Sequence, residues 1–311
     1  MVADQVMWLT DADCHRPELA GGKGASLGRM TSDGFPVPPG FVIGAGALES
    51  SLRAHGSLEA ARALLADVGR STSLDAARQL HDLVVSSPPG YDLADQIAAA
   101  YEKLGESPAV AVRSSACAED GEAASYAGQQ ETFLNVVGLD DLLQKVAECW
   151  ASFFAERAVF YRRLKGSLDD MAIAVVVQRL LIAEKAGVLF TMDPVRRRRD
   201  QMVIEAAFGL GEALVSGLVT PDNYLALRDG TLKKVRVSRQ DREIVRNPAG
   251  GTIERALTEE RATSQVLDEG EVAKLVEMAV KLEGVFGGPQ DVEWAIEDGE
   301  LYLLQSRPIT A

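Results

Sequence analysis

Cysteine and histidine are both scarce in this chain. Three cysteines (Cys14, Cys117, Cys149) stand at no metal-like spacing, and three histidines (His15, His55, His81) form no ligand set. An odd cysteine count without a framework argues against a disulfide scaffold and a structural zinc site, and fits a reduced cytoplasm. No stretch approaches the ~20 apolar residues of a membrane span, and no basic-then-apolar leader opens the chain. Positive charge is also in short supply: 32 Lys and Arg face 46 Asp and Glu, for a formal net charge of −14. That balance excludes non-specific nucleic-acid binding and an anionic membrane surface, and any phosphate ligand needs locally gathered Lys, Arg or metal. Neither a Walker A loop nor G-x-G-x-x-G is present, and no Ser-His-Asp or Cys-His arrangement is visible.

What is present is an ordinary globular composition, 47% hydrophobic and 25% charged over 311 residues, enough for one large domain or two lobes. Residues 5–10 read as a short strand. Ala20 to Met30 places glycines ahead of good helix formers, so Lys23 falls at or just before a helix N-terminus, where backbone N–H groups favour anions. Residues 35–43 are a proline-stiffened entry into a buried strand. Helical pieces fill 45–104, with Val84, Leu93 and Ile97 on apolar faces and His55 and His81 at surfaces or caps. Residues 109–116 read as a strand whose apolar run ends in Arg113, which two serines follow, well placed for a phosphate oxygen or for a structural salt bridge. Residues 118–132 are a loop of small and polar residues, too poor in apolar groups to pack itself. A strand at 133–137 and one long amphipathic helix over 140–164 follow.

The second half is strand-rich. Runs at 172–181, 186–191 and 202–206 with short connections suggest one antiparallel sheet, and Gln178 to Leu180 offers an edge for a purine. Arg196 to Arg199 reads as a solvated basic loop. A glycine-rich turn at 208–217, a hairpin turning at Asp229-Gly230 and a helix over 271–286 lead to the closing stretch, QDVEWAIEDGELYLLQSRPI. Asp-Gly between alternating runs signals a hairpin. An odd loop or a bulge sets Glu293 opposite Gln305 and Asp291 opposite Arg307, with Trp294–Leu304 and Ile296–Tyr302 on the reverse face. A strict two-residue turn sets Glu293 beside Leu304 instead. Asp291 and Glu293 lie about 7 Å apart along one strand face. A glycosidase would need its carboxylates on opposite sides of a sugar. Carboxylate, amide and guanidinium on one wall suit Mg2+ and phosphate.

Seven segments appear in order: GGKGASLG (21–28), VPPGFVI (37–43), AVRSSA (111–116), SYAGQQETFLNV (125–136), GVLFTMDP (187–194), IEAAFGLGEALVSG (204–217) and DVEWAIEDGELYLLQSRPIT (291–310). Together they closely resemble the N-terminal nucleotide-binding domain of the phosphoenolpyruvate synthase, pyruvate phosphate dikinase and rifampicin phosphotransferase family. The resemblance implies an α+β, ATP-grasp-like fold, with approximate lobes 1–185 and 186–311. It implies ATP and Mg2+ as ligands. The family's phosphate lysine falls on Lys23 and its phosphate arginine on Arg113. The phosphate loop falls on Gly128, Gln129, Gln130 and Thr132, and the adenine edge on Gln178 to Leu180. The metal-holding residues fall on Glu293 and Gln305, with Asp291 an additional candidate, and the γ-phosphate arginine on Arg307. Cys117 departs from the family's usual threonine, and Arg196 to Arg199 from its usual mixed turn. Residues 1–311 contain no phosphocarrier histidine motif, so the implied carrier domain is a partner in cis or in trans, and a small-molecule acceptor such as pyruvate or rifampicin binds elsewhere. The implied activity is transfer of the β-phosphoryl group of ATP to the carrier, with release of AMP and phosphate. A stand-alone small-molecule kinase and a non-catalytic ATP sensor are the alternatives.

Overall fold

The computed structural model describes residues 5–70, 74–117, 131–165 and 171–309. It divides into two compact units, Met1–Arg29 with Pro39–Leu180 and Met30–Pro38 with Leu181–Ala311. The division therefore falls at Leu180/Leu181 rather than after residue 185, and the 30–38 segment belongs with the second unit.

The first unit contains β1 (Val6–Trp8), α1 (Pro17–Ser32, which runs on into the 30–38 segment), β2 (Gly40–Ile43), α2 (Ala47–Ala54), α3 (Leu58–Arg70), α4 (Asp75–Val85) and α5 (Tyr91–Lys103). β3 (Val110–Ala116), β4 (Thr132–Val136), α6 (Leu139–Ser152), α7 (Glu156–Lys165) and β5 (Ile173–Arg179) complete it. The strands make an antiparallel sheet in the order β1-β2-β5-β3-β4. Period-2 alternation splits its faces. Phe41, Ile43, Val110, Val112, Val175 and Val177 join Leu142, Val146 and Trp150 of α6 in the main core. Val42, Arg113, Ser115, Val176 and Gln178 take the opposite phase.

The helix expected over 140–164 is two helices. The chain tightens between them into three-residue bonds, Phe153 N–H to the Trp150 carbonyl (3.2 Å) and Phe154 N–H to that of Ala151 (2.9 Å), with the Ser152 hydroxyl donating back to the Cys149 carbonyl (2.7 Å). Such back-bonding competes with the helical ladder. The guanidinium of Arg162 then stacks on the Phe153 ring at 3.7 Å.

The second unit contains β6 (Lys185–Phe190), β7 (Gln201–Phe208), α8 (Glu212–Val215), β8 (Asp222–Leu227), β9 (Leu232–Arg236), β10 (Arg242–Arg246) and β11 (Thr252–Ala256). α9 (Glu259–Ala262), α10 (Glu269–Phe286), β12 (Gln290–Glu297) and β13 (Glu300–Pro308) follow. Six strands form an antiparallel sheet in the order β13-β12-β6-β7-β8-β9, and β10-β11 is a separate hairpin. The single sheet expected for 172–206 is thus two sheets: β5 pairs with β2 and β3, whereas β6 pairs with β7 and β12. Short connections alone do not choose partners. α10 starts at a capping box, Asp268 and Glu271 each accepting from the other's N–H, and ends at Gly287 in the left-handed region. Its Val272, Leu275, Val276, Ala279 and Leu282 are buried, and Lys185 and Glu271 clasp strand to helix at 2.6 Å.

The phase of the sheet that carries Lys185 also holds Leu189, Val292, Trp294, Ile204 and Tyr224, all buried. Gly187 pairs with Trp294 on that face; a Cβ there would lie 1.9 Å from the Glu205 carbonyl oxygen and 2.6 Å from Trp294 Cζ2. The indole occupies the space a side chain would need. Gly187→Ala is therefore expected to destabilise the chain by about 3 kcal/mol, because backbone must move. A urea midpoint within error of the native one would contradict this packing.

Candidate nucleotide-binding surfaces

In the first unit the glycine segment is fastened to the sheet. α1 is broken at Gly21 (φ 68°, ψ 172°), so Gly22, Lys23 and Gly24 open the helix proper. The expected position of Lys23 at a helix N-terminus is what is found. The Ser115 hydroxyl donates to the Ala20 carbonyl at 2.9 Å and accepts from the Gly24 N–H at 3.2 Å. One β3 side chain thus satisfies a group on each side of the break. The approach is possible only for glycine: a Cβ on Gly21 would sit 2.2 Å from both Ser115 oxygens, and φ is positive. Gly24 lies over Val42, where a Cβ would meet Cγ2 at 3.2 Å.

Arg113 lies two residues before Ser115 and shares its face. It is buried, and Thr132 of β4 is its direct cross-strand partner. Gln178 is in the same phase, paired to Ala111 on one side and Gly40 on the other. Burial pushes the Cys149 thiol of α6 up, Glu131 and Glu148 push it further, and Lys23 with Lys145 pulls it back. The backbone of Arg179 and Leu180 is held by bonds to the carbonyls of Pro39 and Ala109, each 2.9 Å. Lys23, Arg113, Thr132 and Gln178 are thus gathered on the side of the sheet on which α1 packs. Gly128, Gln129 and Gln130 lie outside the described residues.

In the second unit the closing hairpin has the expected register, and of the two routes to it, an odd loop or a bulge, the bulge is the one found. Asp298 (φ 51°) and Gly299 (φ 75°) make a two-residue turn of the type I′ kind. That turn alone would set Glu293 beside Leu304. Instead Leu304 is an extra residue, a bulge between the Trp294–Leu303 and Glu293–Gln305 pairs, which restores Glu293 opposite Gln305 and Asp291 opposite Arg307. The expected pairs Trp294–Leu304 and Ile296–Tyr302 are replaced by Trp294–Leu303 and Ile296–Leu301, because the bulge lies inside the hairpin rather than at its tip.

Arg307 Nε donates to Asp291 Oδ2 at 2.7 Å. Asp291 Oδ1 is buried without a hydrogen-bond partner. Burial holds the Asp291 carboxyl above its ordinary pKa; Arg307 opposes this, while Glu293 and Glu205 add to it. Glu205 is absent from the set anticipated from sequence. It sits on β7, in register with Glu293 through Val188, and accepts from Asn223 Nδ2 at 3.3 Å. Only the strand order β12-β6-β7 reveals it. Beside these groups Ala186, Ala295 and Leu181 form a small apolar cluster with Tyr302 and Leu304. Among the described residues no group of three or more His, Cys, Asp or Glu is arranged as a metal cage. Mg2+ does not require one, since it takes one or two carboxylates and completes its octahedron with phosphate and water. The unpartnered Oδ1, in a field of three carboxylates, is the kind of donor such a cation satisfies.

Residues 17–311 match the pyruvate phosphate dikinase AMP/ATP-binding domain family. The chain belongs to that family. It is 44% identical to a probable phosphoenolpyruvate synthase of Archaeoglobus fulgidus over 98% of this chain and 41% of the relative. It is 41% identical to a rifampicin phosphotransferase of Streptomyces sviceus over 98% of this chain and 36% of the relative. To a phosphoenolpyruvate synthase of Pyrococcus furiosus it is 36% identical over 98% of this chain and 44% of the relative. The chain thus spans less than half the length of each. As an AMP/ATP-binding domain of the dikinase family it is a mixed α and antiparallel-β protein, and no helix among the described residues is long and apolar enough to cross a membrane.

Two outcomes follow from these geometries. Ser115→Ala removes both bonds at the glycine break and is expected to cost about 1–3 kcal/mol, read from denaturant unfolding. The raised Asp291 pKa makes its ionisation unfavourable to the folded state. The penalty is absent below the ordinary carboxylate pKa, grows as pH rises through it, and is complete above the raised folded value. Asp291→Asn should therefore melt at a higher temperature than the native chain at pH 7, with the advantage gone by about pH 3. An advantage that persists at low pH would remove the charge from the explanation.

Proposed function

We propose that this chain binds ATP·Mg2+ in an ATP-grasp-like manner and catalyses the first half-reaction of a dikinase-type phosphotransferase. The acceptor is a carrier histidine outside residues 1–311, and pyruvate, rifampicin or another small molecule receives the phosphoryl group later. The observation that carries this reading beyond family membership is the hairpin wall: a buried, unpartnered carboxylate oxygen beside Glu293, with Gln305 and Arg307 directly across the strands.

The roles follow from charge and placement. Lys23, in the first turn of a helix, and Arg113, at the strand beneath it, neutralise phosphate oxygens, with backbone N–H groups of the helix start adding to the field. Thr132, across from Arg113, and the segment Gly128, Gln129 and Gln130 complete the phosphate loop. Gln178 and Leu180 supply the edge for adenine. Glu293 and Gln305, with Asp291, are the residues that would hold Mg2+. When bound, the ion draws charge from the phosphate oxygens and so favours attack on phosphorus. Arg307, oriented by Asp291, directs its guanidinium charge to the γ-phosphate. The imidazole of the carrier attacks the β-phosphorus, the bond from that phosphorus to the α–β bridging oxygen breaks, and AMP leaves with that oxygen. Water then takes the γ-phosphoryl group from the pyrophosphorylated histidine as inorganic phosphate. The protein forms no covalent bond of its own here; its contribution is position and charge.

Mixing the chain with ATP, MgCl2 and a separately produced carrier domain should give AMP, and only in the presence of the carrier. Lys23→Ala and Glu293→Ala should each lower the rate by about 100-fold or more without changing the circular dichroism spectrum. ADP formed without the carrier would replace this reading with that of a direct kinase. Full turnover by both variants would discard the site.

A further inference from the structure

The loop from Thr191 to Asp200, between β6 and β7, carries the arginine run. It is firmly built. Buried Asp193 accepts at Oδ1 from the N–H groups of Val195 (3.0 Å) and Arg196 (2.9 Å), and its own N–H donates to the Arg198 carbonyl at 3.0 Å. Arg228 donates to the carbonyls of Thr191 (3.3 Å) and Arg199 (3.0 Å), while Glu283 of α10 holds the same guanidinium at 2.8 Å. The Thr191 N–H donates to the Gln290 carbonyl at 2.9 Å, which places the loop at the sheet end next to Asp291 and Arg307.

What this frame displays outward is unusual for the chain. Val195 is 89% exposed. Arg198 is paired with Asp200, but Arg196, Arg197 and Arg199 are exposed and have no carboxylate in salt-bridge reach among the described residues. Arg197 also holds φ 54°, a conformation glycine adopts more easily. Three unpaired guanidinia thus stand on a rigid turn in a chain with 46 acidic and 32 basic residues.

We propose that this loop is a docking surface for a carboxylate-rich face of another protein domain. Arg196, Arg197 and Arg199 would pair with carboxylates, and Val195 beside them would be covered. Arginine suits such interfaces because its planar fork takes carboxylates two bonds at a time. A backbone already fixed loses little freedom on binding. The acidic remainder of this chain repels an acidic partner elsewhere, so the encounter is focused on the loop. Relatives such as the Archaeoglobus fulgidus protein, of which this chain covers 41%, contain further polypeptide that such a loop can meet. Residues 191–200 contain no aromatic side chain that could stack on a base, which favours a protein face over nucleic acid as the occupant.

The test uses a fluorescent glutamate oligomer as the acidic probe, with ATP affinity measured in parallel. The native chain should bind the oligomer, more weakly as salt rises. Arg196→Ser/Arg197→Gly/Arg199→Ser should bind about tenfold or more weakly, with ATP affinity unchanged. Val195→Ser should weaken binding while leaving the salt dependence intact. The proposal is overturned if the native chain does not bind the oligomer, if the triple variant binds as well as the native chain, or if an oligonucleotide of equal charge binds more tightly. Failure to bind ATP would bear on the nucleotide reading alone, because the loop does not depend on it.

Discussion

One extra residue in one strand sets the polar wall of the second unit. A two-residue Asp-Gly turn has a handedness that suits twisted strands, and it dictates which residues face each other from the tip inward. Carried through without interruption, it would pair Glu293 with leucine and leave Gln305 and Arg307 one step out of place. The bulge at Leu304 restores the register between the fourth and fifth pairs from the turn. Carboxylate then faces amide, and carboxylate faces guanidinium. The same bulge leaves Leu304 packed with Ala295 and Tyr302, so an apolar patch adjoins the polar one. Bulges re-aim side chains near functional sites in many sheets, and here the effect can be read residue by residue.

Charge on that wall is deliberately unbalanced. Asp291 has one oxygen satisfied by Arg307 and one buried with no partner, while Glu293 and Glu205 raise the cost of its ionisation. A structure selected only for stability would rarely keep such an oxygen, since a buried unsatisfied acceptor is costly. Its retention is consistent with a ligand that supplies the missing positive charge. Asp193 shows the contrast: it too is buried, but two backbone N–H groups satisfy one of its oxygens, and its work is to shape a loop.

The first unit relies on close approach rather than register. Glycine at position 21 lets the chain turn through a left-handed conformation directly against Ser115, and the serine hydroxyl ties both sides of the break to β3. Lys23 and Arg113, ninety residues apart in sequence, are brought to one side of one sheet by that contact. The glycines and the serine were each visible in the sequence as part of GGKG and RSS. Their mutual contact was not, because hydrogen bonding between distant segments leaves no periodicity to read.

Side-chain alternation and turn chemistry, both local, carried most elements from sequence to structure: the closing hairpin, the hairpin at Asp229-Gly230, the helix ending at Phe286, and the helix start at Lys23. The opposition of Glu293 to Gln305 and of Asp291 to Arg307 was legible for the same reason, since a period of two leaves few registers that keep Trp294 buried. Partner choice between strands was not legible. Residues 172–206 looked like one sheet, and are two, because backbone hydrogen bonds are the same whichever strand provides them. The break at Phe153 to Ala155 lies in three-residue backbone bonds and in the Ser152 hydroxyl bonding back to Cys149, which helical periodicity alone does not reveal. Glu205 joined the acidic wall only when β6 was placed between β12 and β7. Sequence alone determined which residue types were available at each element, and their local phase. Tertiary structure alone decided which of them share a surface, because burial and charge act between neighbours in space, whatever their separation along the chain.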